Sequence, residues 1–208
     1  MGYTHYWYRE KEIDKGVFQK IVDDFRKLFP EFQKMGLKLA GGSGEGDPVI
    51  TYEKVVFNGS SHCGHTGNPN LMIPWPSPKA TGVAEDGEDA KSGTWFAGDT
   101  LNARQCNGDC SYETFCFERV FTDCYKGQKP DRESGMWFAF CKTAFRPYDF
   151  VVNCFLIIAK HHMGKLLVVA SDGQEELWAD TKVCVHYFLN YGARNLLSKV
   201  KSPLTNES

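Results

Sequence analysis

Residues 136–178 read MWFAFCKTAFRPYDFVVNCFLIIAKHHMGKLLVVASDGQEELW, and this stretch decides the fold. Met136–Phe145 alternates between two sets of side chains, which predicts a strand with two different faces. The next segment is apolar on nearly every side and ends at Gly164, which is typical of a buried helix with a left-handed cap residue. Lys165–Ala170 is a short, nearly continuous apolar run, which indicates a buried strand. The stretch is therefore predicted to form a strand, a helix and a second strand.

The rest of the chain supplies further elements. Tyr3–Tyr8 alternates as a strand, and Asp14 is predicted to cap a helix that ends at Pro30. The pattern also allows a further helical turn from Pro30 to Met35, which Gly36 would stop. The remaining predicted elements are strands over Val49–Phe57 and Ser111–Phe121, a turn at Asn58–Gly59, and a closing helix over Thr181–Leu197. This order favours a single α+β domain over residues 1–208, with a mostly antiparallel sheet covered by helices on one face.

Residues 60–110 differ in composition from the rest of the chain. Prolines stand at positions 69, 74, 76 and 78. Residues 80–93 read ATGVAEDGEDAKSG and are rich in acidic residues and in small side chains. Proline lacks the N–H that helices and strands use, so no regular element is predicted here. A long excursion of this kind inside a compact domain is usually functional, so we expect a Pro/Gly-rich loop insertion or arm.

The overall composition limits the function classes. The chain has 208 residues, 42% of them hydrophobic, and a net charge of −2 without a basic run. A nucleic-acid partner is not expected, because nucleic acids bind to positively charged protein surfaces. The longest apolar run is shorter than the roughly 20 residues of a membrane span, so no membrane partner is expected. Eight cysteines without a secretory signal favour free or metal-bound thiols in a cytoplasmic, reducing compartment.

Two groups of soft metal ligands lie at the ends of the insertion. One glycine separates Cys63 from His65, and three residues separate Cys106 from Cys110. Zinc prefers tetrahedral sets of thiolates and imidazoles, so these four residues are candidate ligands of a structural zinc ion. The cysteine spacing is wider than the usual two residues, and His62 competes with His65. Free thiols and a Cys106–Cys110 disulfide are the alternatives, and no other cofactor is predicted.

A second candidate site surrounds the predicted start of the central helix. Unpaired N–H groups and the helix dipole attract anions there, and Lys142 and Arg146 add positive charge. If the first strand lies beside the strand before this helix, its aromatic side chains would wall the site. Alternatively, Thr143 and Asp149 only cap the helix and Arg146 pairs with Asp149. The candidate ligand-binding residues are Tyr3, His5, Lys142, Thr143, Arg146, Tyr148 and Asp172.

Several motifs together resemble a family of small uncharacterised proteins from phages and bacteria. They are MGYTHYW at the start, ETFCFER in the middle, FAFCKTAFRPYDFVVNCFLIIAKHHMG in the central unit, and then VASDG and EELW. The family brings no established activity, so the resemblance implies no catalytic residue. It does imply a phage or bacterial setting, in the host cytoplasm or in the virion.

Three function classes are compatible with these patterns. The first is an accessory protein that binds an anionic or nucleotide-like small molecule. The second is a structural or interaction protein, such as a virion component or an inhibitor of a host protein, that uses the 60–110 arm; a homo-oligomer is compatible with this class. The third is an enzyme with a His/Lys/Asp site built from His5, Lys142 or Asp172. No residue pattern fixes a catalytic partner for His5, which favours the first two classes.

Overall fold

The computed structural model of the protein describes residues 2–73, 95–96, 99–100, 103–122 and 129–192. The helices are α1 (Lys15–Lys34), α2 (Asp149–Met163) and α3 (Ala179–Leu189). The strands are β1 (Thr4–Arg9), β2 (Leu39–Ala40), β3 (Val49–Ile50), β4 (Lys54–Gly59), β5 (Asn68–Leu71), β6 (Trp95–Phe96), β7 (Asp99–Thr100), β8 (Arg104–Cys106), β9 (Phe115–Glu118), β10 (Trp137–Lys142) and β11 (Leu167–Ser171). Every strand pair in these segments is antiparallel, which confirms the predicted α+β class.

The first sheet has the strand order β10-β1-β11, with β1 in the centre. The predicted alternation of the first strand is confirmed. His5, Trp7 and Arg9 are buried on the inner face. Tyr6 and Tyr8 are half-buried on the outer face. The sheet therefore presents one face to the core and one aromatic face to the outside.

The strand predicted over Met136–Phe145 is too long at both ends. β10 ends at Lys142, and Ala144 and Phe145 have left-handed φ angles of 49° and 56°. A strand cannot continue through residues in the left-handed conformation. This conformation costs roughly 1–2 kcal/mol for each non-glycine residue. The backbone N–H of Gln105 donates to Phe145 O over 2.9 Å. A residue of β8 therefore helps to hold the turn between β10 and α2.

The second sheet is centred on β4, which pairs with β2, β3 and β9. The prediction of one strand over Val49–Phe57 is wrong, because the Thr51 N–H donates to Lys54 O over 2.9 Å and closes a turn between β3 and β4. The prediction of a turn at Asn58–Gly59 is also wrong, because both residues belong to β4 and pair with β2. Asn-Gly favours a tight turn locally, but distant contacts override that preference here.

The first helix is capped as predicted. The Val17 N–H donates to Asp14 Oδ1 over 3.0 Å. The helix does not end at Pro30 but continues through the predicted further turn to Lys34, with Met35 as its C-cap residue. A proline removes one N–H from the helix ladder at a cost of about 3 kcal/mol. Burial of Phe32 in the core beyond it favours the extra turn.

The helices cover one side of the two sheets and form a contiguous hydrophobic core with them. Phe25 of α1 contacts Phe57 of β4 and Phe155 of α2, at ring-centroid distances of 5.7 and 5.2 Å. Phe155 also contacts Phe115 of β9 at 5.1 Å. Trp7 of β1 reaches the same Phe115 ring at 5.4 Å. The two sheets therefore share one core.

The closing helix begins and ends earlier than predicted. The prediction ran over Thr181–Leu197, whereas α3 begins at Ala179 and ends at Leu189. Asn190 adopts a left-handed φ of 60°, which asparagine tolerates better than most residues and which ends the helix. Residues 193–197 of the prediction lie outside the described residues. In the part of the chain that the structure describes, no helix combines the length and hydropathy that crossing a membrane requires.

The insertion predicted over residues 60–110 contains short strands. β5 pairs with β8, and β6 pairs with β7. The expectation of no regular element is therefore wrong for these segments, because a proline such as Pro69 is tolerated in a short strand at an edge. Residues 74–94, 97–98 and 101–102 lie outside the described residues.

Candidate metal centre

Four side chains of the insertion converge on one point. The pairing of β5 with β8 places Asn68 opposite Cys106. The segment before β5 carries Cys63 and His65, and it therefore meets the segment after β8 that carries Cys110. The four candidate ligand atoms all lie within 4.8 Å of one another. The three thiols are buried and the imidazole is half-buried, so the predicted ligand set is brought together in space.

The distances within this cluster match the size of a tetrahedral zinc site. Cys106 Sγ lies 3.7 Å from Cys63 Sγ and 3.4 Å from Cys110 Sγ. His65 Nδ1 lies 3.3 Å from Cys110 Sγ. Tetrahedral bonds of about 2.3 Å to sulfur and about 2.0 Å to nitrogen require S–S separations of about 3.8 Å and S–N separations of about 3.5 Å. These three separations are thus within a few tenths of an ångström of that geometry, and all the ligand atoms lie within 4.8 Å of one another. The cysteines are free, so the predicted alternative of a Cys106–Cys110 disulfide is wrong.

Backbone contacts shape the two ligand loops. The glycine inside each ligand pair has a φ of 82° or 84°, a left-handed conformation that glycine adopts without strain. The Asn58 side chain donates to Tyr112 O over 2.9 Å and accepts from the Tyr112 N–H over 3.0 Å. Gly59 lies so close to Cys110 that a Cβ there would stand 2.0 Å from the Cys110 carbonyl oxygen. These contacts explain why Asn58 and Gly59 form no turn: they fasten the second loop to β4.

The thiols of the cluster differ in acidity. Burial raises the pKa of Cys63, but hydrogen bonds from the His65 backbone N–H and from the thiols of Cys110 and Cys106 outweigh burial and lower this pKa below its usual range. Burial, together with the thiols of Cys106 and Cys63, raises the pKa of Cys110. The pKa of Cys63 is therefore shifted toward the thiolate and that of Cys110 away from it, and the thiolate is the form that binds metals.

A buried charge network begins two residues before Cys106. Arg104 Nε donates to Asp149 Oδ2 over 3.1 Å, and its Nη1 donates to Asp180 Oδ2 over 3.0 Å. His5 Nε2 lies 2.7 Å from Asp149 Oδ1, and Thr143 Oγ1 donates to the same oxygen over 2.6 Å. No member of the network is more than 1% exposed. One arginine of the insertion thus joins the starts of α2 and α3.

The network keeps its central pair charged. Burial alone would raise the pKa of Asp149, but the charge and the hydrogen bond of His5, with help from Arg104 and Thr143, lower this pKa below its usual range. Burial alone would lower the pKa of Arg104, but the charges of Asp180 and Asp149 raise it. A buried charge is costly once its partner is removed, so each member depends on the others.

Four of the seven predicted ligand-binding residues face the core. His5 and Thr143 belong to the buried network. Tyr148 is buried, and its hydroxyl donates to Glu113 O over 2.6 Å. The Tyr3 ring packs edge-on against His5, with centroids 5.0 Å apart. These side chains stabilise the turn between β10 and α2 from the inside.

The other three predicted residues lie apart from that group. Lys142 lines the outer face of the first sheet together with Tyr6. Asp172 accepts hydrogen bonds from Tyr6 Oη over 2.9 Å and from the Thr4 N–H over 3.0 Å. Arg146 is half-buried, and its Nε and Nη1 atoms have no hydrogen-bond partner among the described residues. Lys142 therefore lines a cleft that Arg146 does not line, and a shared anion site at these two residues stays a prediction.

The start of α2 already holds an anion, which is the Asp149 carboxylate. The alternative in which Arg146 pairs with Asp149 is also wrong, because Asp149 pairs with Arg104. Sequence reasoning missed Arg104 and Asp180. They are 76 residues apart, and Arg104 is 45 residues from Asp149, so no local spacing could have linked the three.

The fold and this cluster together define an α+β protein with a candidate metal centre of three cysteines and one histidine. Comparisons of the chain with models of protein families, with curated proteins and with solved structures found no match. The resemblance to a phage and bacterial family stays a prediction from the sequence motifs. Functional inference consequently rests on the geometry of the molecule itself.

Proposed function

We propose that this protein binds one zinc ion through Cys63, His65, Cys106 and Cys110, and that the ion has a structural role. The observation that carries the proposal is the convergence of the four ligand atoms within 4.8 Å. Three thiols and one imidazole make a soft donor set, which suits zinc and does not suit calcium or magnesium. Four protein ligands complete a tetrahedral shell, so they leave no position for a catalytic water.

The surroundings of the cluster support a structural role. Cys63, Cys106 and Cys110 form a small buried cluster of their own, apart from the main core, with Leu71 packed against it. A segment with so little apolar burial gains stability from metal binding instead. The ion would join the loop after β4 to the loop after β8. It would thereby hold both ends of the 60–110 insertion against the domain.

Zinc analysis of the full chain, purified without added zinc, tests this proposal. We expect one equivalent of zinc in the wild-type protein. Cys106→Ser and Cys110→Ser are each expected to lose the ion, because a serine hydroxyl replaces the soft thiolate ligand. Cys116→Ser is the matched control, since Cys116 is a half-buried cysteine of β9 outside the cluster, and this variant is expected to keep full zinc content.

Two results would contradict the zinc proposal. The first is a zinc-free wild-type protein whose melting temperature does not rise when zinc is added, because an ion that binds only the folded state must stabilise it. The second is equal zinc content in Cys106→Ser and Cys116→Ser, which would place the ion at other residues.

For the wider role, we propose an accessory protein of phage or bacterial origin, acting in the cytoplasm, that binds an anionic or nucleotide-like small molecule. The support is a cleft on the outer face of the first sheet that combines aromatic rings with Lys142. Calorimetric titration of the full chain with adenosine monophosphate tests it. Interaction through the 60–110 arm stays a prediction. A His/Lys/Asp enzyme is disfavoured at His5, because that side chain is fully buried against Asp149.

A further inference from the structure

We infer that the cleft on the outer face of the β10-β1-β11 sheet is a binding site for a small planar aromatic anion. This inference rests on the wider role proposed above and gives it a location and a ligand class. The aromatic cleft is defined by the rings of Tyr6, Tyr8, Phe138 and Phe140 and by the ammonium groups of Lys129 and Lys142. It shares only Lys142 with the site predicted from the sequence, and none of its residues is a candidate zinc ligand.

The strand register builds the aromatic floor of the cleft. Tyr6 lies opposite Phe140, and Tyr8 lies opposite Phe138, on neighbouring antiparallel strands. The Phe138 ring is 5.0 Å from Tyr8, 6.2 Å from Tyr6 and 5.9 Å from Phe140 between centroids. The rings therefore touch as one continuous surface. Aromatic surfaces of this kind bind planar groups through stacking, which tolerates different ring systems.

The aromatic floor is more exposed to solvent than the inner face of the same sheet. Phe140 keeps 37% of its surface exposed, although the ring is large and apolar. Tyr6, Tyr8 and Phe138 are half-buried. An exposed apolar patch with a polar rim is typical of a ligand-binding groove or an interaction surface.

The charges around the cleft select an anion. The ammonium groups of Lys129 and Lys142 have no carboxylate partner among the described residues. One carboxylate, that of Asp131, also lines the cleft. Asp131 Oδ2 accepts hydrogen bonds from the N–H and hydroxyl of Ser134 over 2.8 and 2.7 Å, which orient the carboxylate but leave its charge in place. Asp172, which is not part of the lining, accepts bonds from Tyr6 and from the β1 backbone. Two ammonium groups thus stand against one carboxylate in the lining, so the cleft is net positive and favours an anionic ligand.

The dimensions of the cleft select a small ligand. Its volume is about 550 Å³, which falls within the roughly 300–1,000 Å³ of small-molecule pockets. The aromatic pairs and the Thr4–Lys142 pair extend from Thr4 to Tyr8 of β1, which is four steps of about 3.4 Å, or about 14 Å. This length suits one ring system with an attached anionic group. The net charge of −2 disfavours a polynucleotide, which needs an extended positive surface.

Calorimetric titration of the full chain tests the inference with two probes, adenosine monophosphate and naphthalene-1-sulfonate. Each probe is compared with its uncharged counterpart, adenosine or naphthalene, and with inorganic phosphate. We expect the aromatic anions to bind more tightly than all three. Binding is expected to weaken at high ionic strength, because exposed charges are screened by salt. The ring protons of the four cleft aromatics are expected to shift in NMR spectra when either anion is added.

Matched variants locate the binding site. Phe140→Ala is expected to weaken binding about tenfold through lost stacking, and Lys142→Gln about fivefold through a lost exposed charge. Tyr52→Ala is the aromatic control, because Tyr52 is 38% exposed, as Phe140 is 37% exposed, but lies outside the cleft. Lys20→Gln is the charge control, because Lys20 is an exposed lysine of α1. Both controls are expected to bind like the wild type.

The outcomes separate this inference from the wider role. If neither anion produces heat or shifts ring resonances at millimolar concentration, both are overturned. If the anions bind but Phe140→Ala and Lys142→Gln bind equally well while remaining folded, the location is wrong and the wider role stands. If the uncharged counterparts bind as tightly as the anions, the role of the lysines is refuted. If an oligothymidylate binds far more tightly than both probes, the cleft is a nucleic-acid surface and the small-ligand assignment is refuted.

Discussion

Replacing Arg104 with methionine is expected to lower the free energy of unfolding by about 3–5 kcal/mol, the usual cost of breaking a buried ion pair. Methionine keeps an unbranched side chain of similar length, so the change removes charge more than volume. The Arg104 guanidinium is fully buried and lies 3.1 Å from Asp149 and 3.0 Å from Asp180. Without it, Asp180 and Asp149 lose a buried counter-charge that water cannot replace.

Urea unfolding monitored by tryptophan fluorescence measures this effect, because Trp7 and Trp178 are buried and report on the core. Arg119→Met is the matched control. Arg119 also holds two carboxylates, Glu12 at 2.9 Å and Glu53 at 2.8 Å, but those carboxylates are exposed. Surface ion pairs contribute little to stability, so the control is expected to change the unfolding midpoint far less.

A second substitution separates lost charge from lost packing. Adding Asp180→Asn to Arg104→Met is expected to recover part of the stability, because the uncompensated carboxylate is removed while its shape is kept. Equal midpoints for Arg104→Met and Arg119→Met would refute the reasoning. So would a double variant that is no more stable than Arg104→Met, because the network would then act through packing alone.

Two further predictions concern the core and the turn before α2. Phe155→Ala is expected to cost about 2–5 kcal/mol of stability, since its buried ring joins α2 to Phe25 and Phe115; an unchanged denaturation midpoint would contradict this. Ala144→Gly is expected to stabilise the protein by about 0.5–1 kcal/mol, because glycine adopts the φ of 49° without the steric cost that alanine bears; a lower melting temperature would contradict it.

Local patterns in the sequence were sufficient to predict much of the fold. Strict alternation placed β1 and its two faces, and the apolar circumference of the central segment placed α2. Asp14 was predicted as a cap because its side chain serves the N–H groups next to it. Local preference failed where distant contacts decide. Asn58–Gly59 favours a turn in isolation, yet the bonds of Asn58 to Tyr112 hold it in a strand.

The candidate sites show the same division. The candidate metal ligands could be predicted as a cluster, because their chemistry is specific and each pair is close in sequence. The partner of His5 could not, because Asp149 lies 144 residues away and is brought to it by the sheet. The aromatic cleft depends on the register of β1 against β10, which alternation alone does not determine. Alternation did place Tyr6 with Tyr8, and Phe138 with Phe140, on common faces.

X-ray absorption spectroscopy at the zinc edge tests the central claim most directly, because it reports the atoms bound to the ion in the intact protein. The proposed site predicts one shell of three sulfur atoms at about 2.3 Å and one nitrogen at about 2.0 Å. The zinc signal is expected to disappear in Cys110→Ser, which loses the ion, and no change is expected in Cys116→Ser. A shell of nitrogen and oxygen atoms without sulfur, in protein containing one zinc ion, would contradict the account.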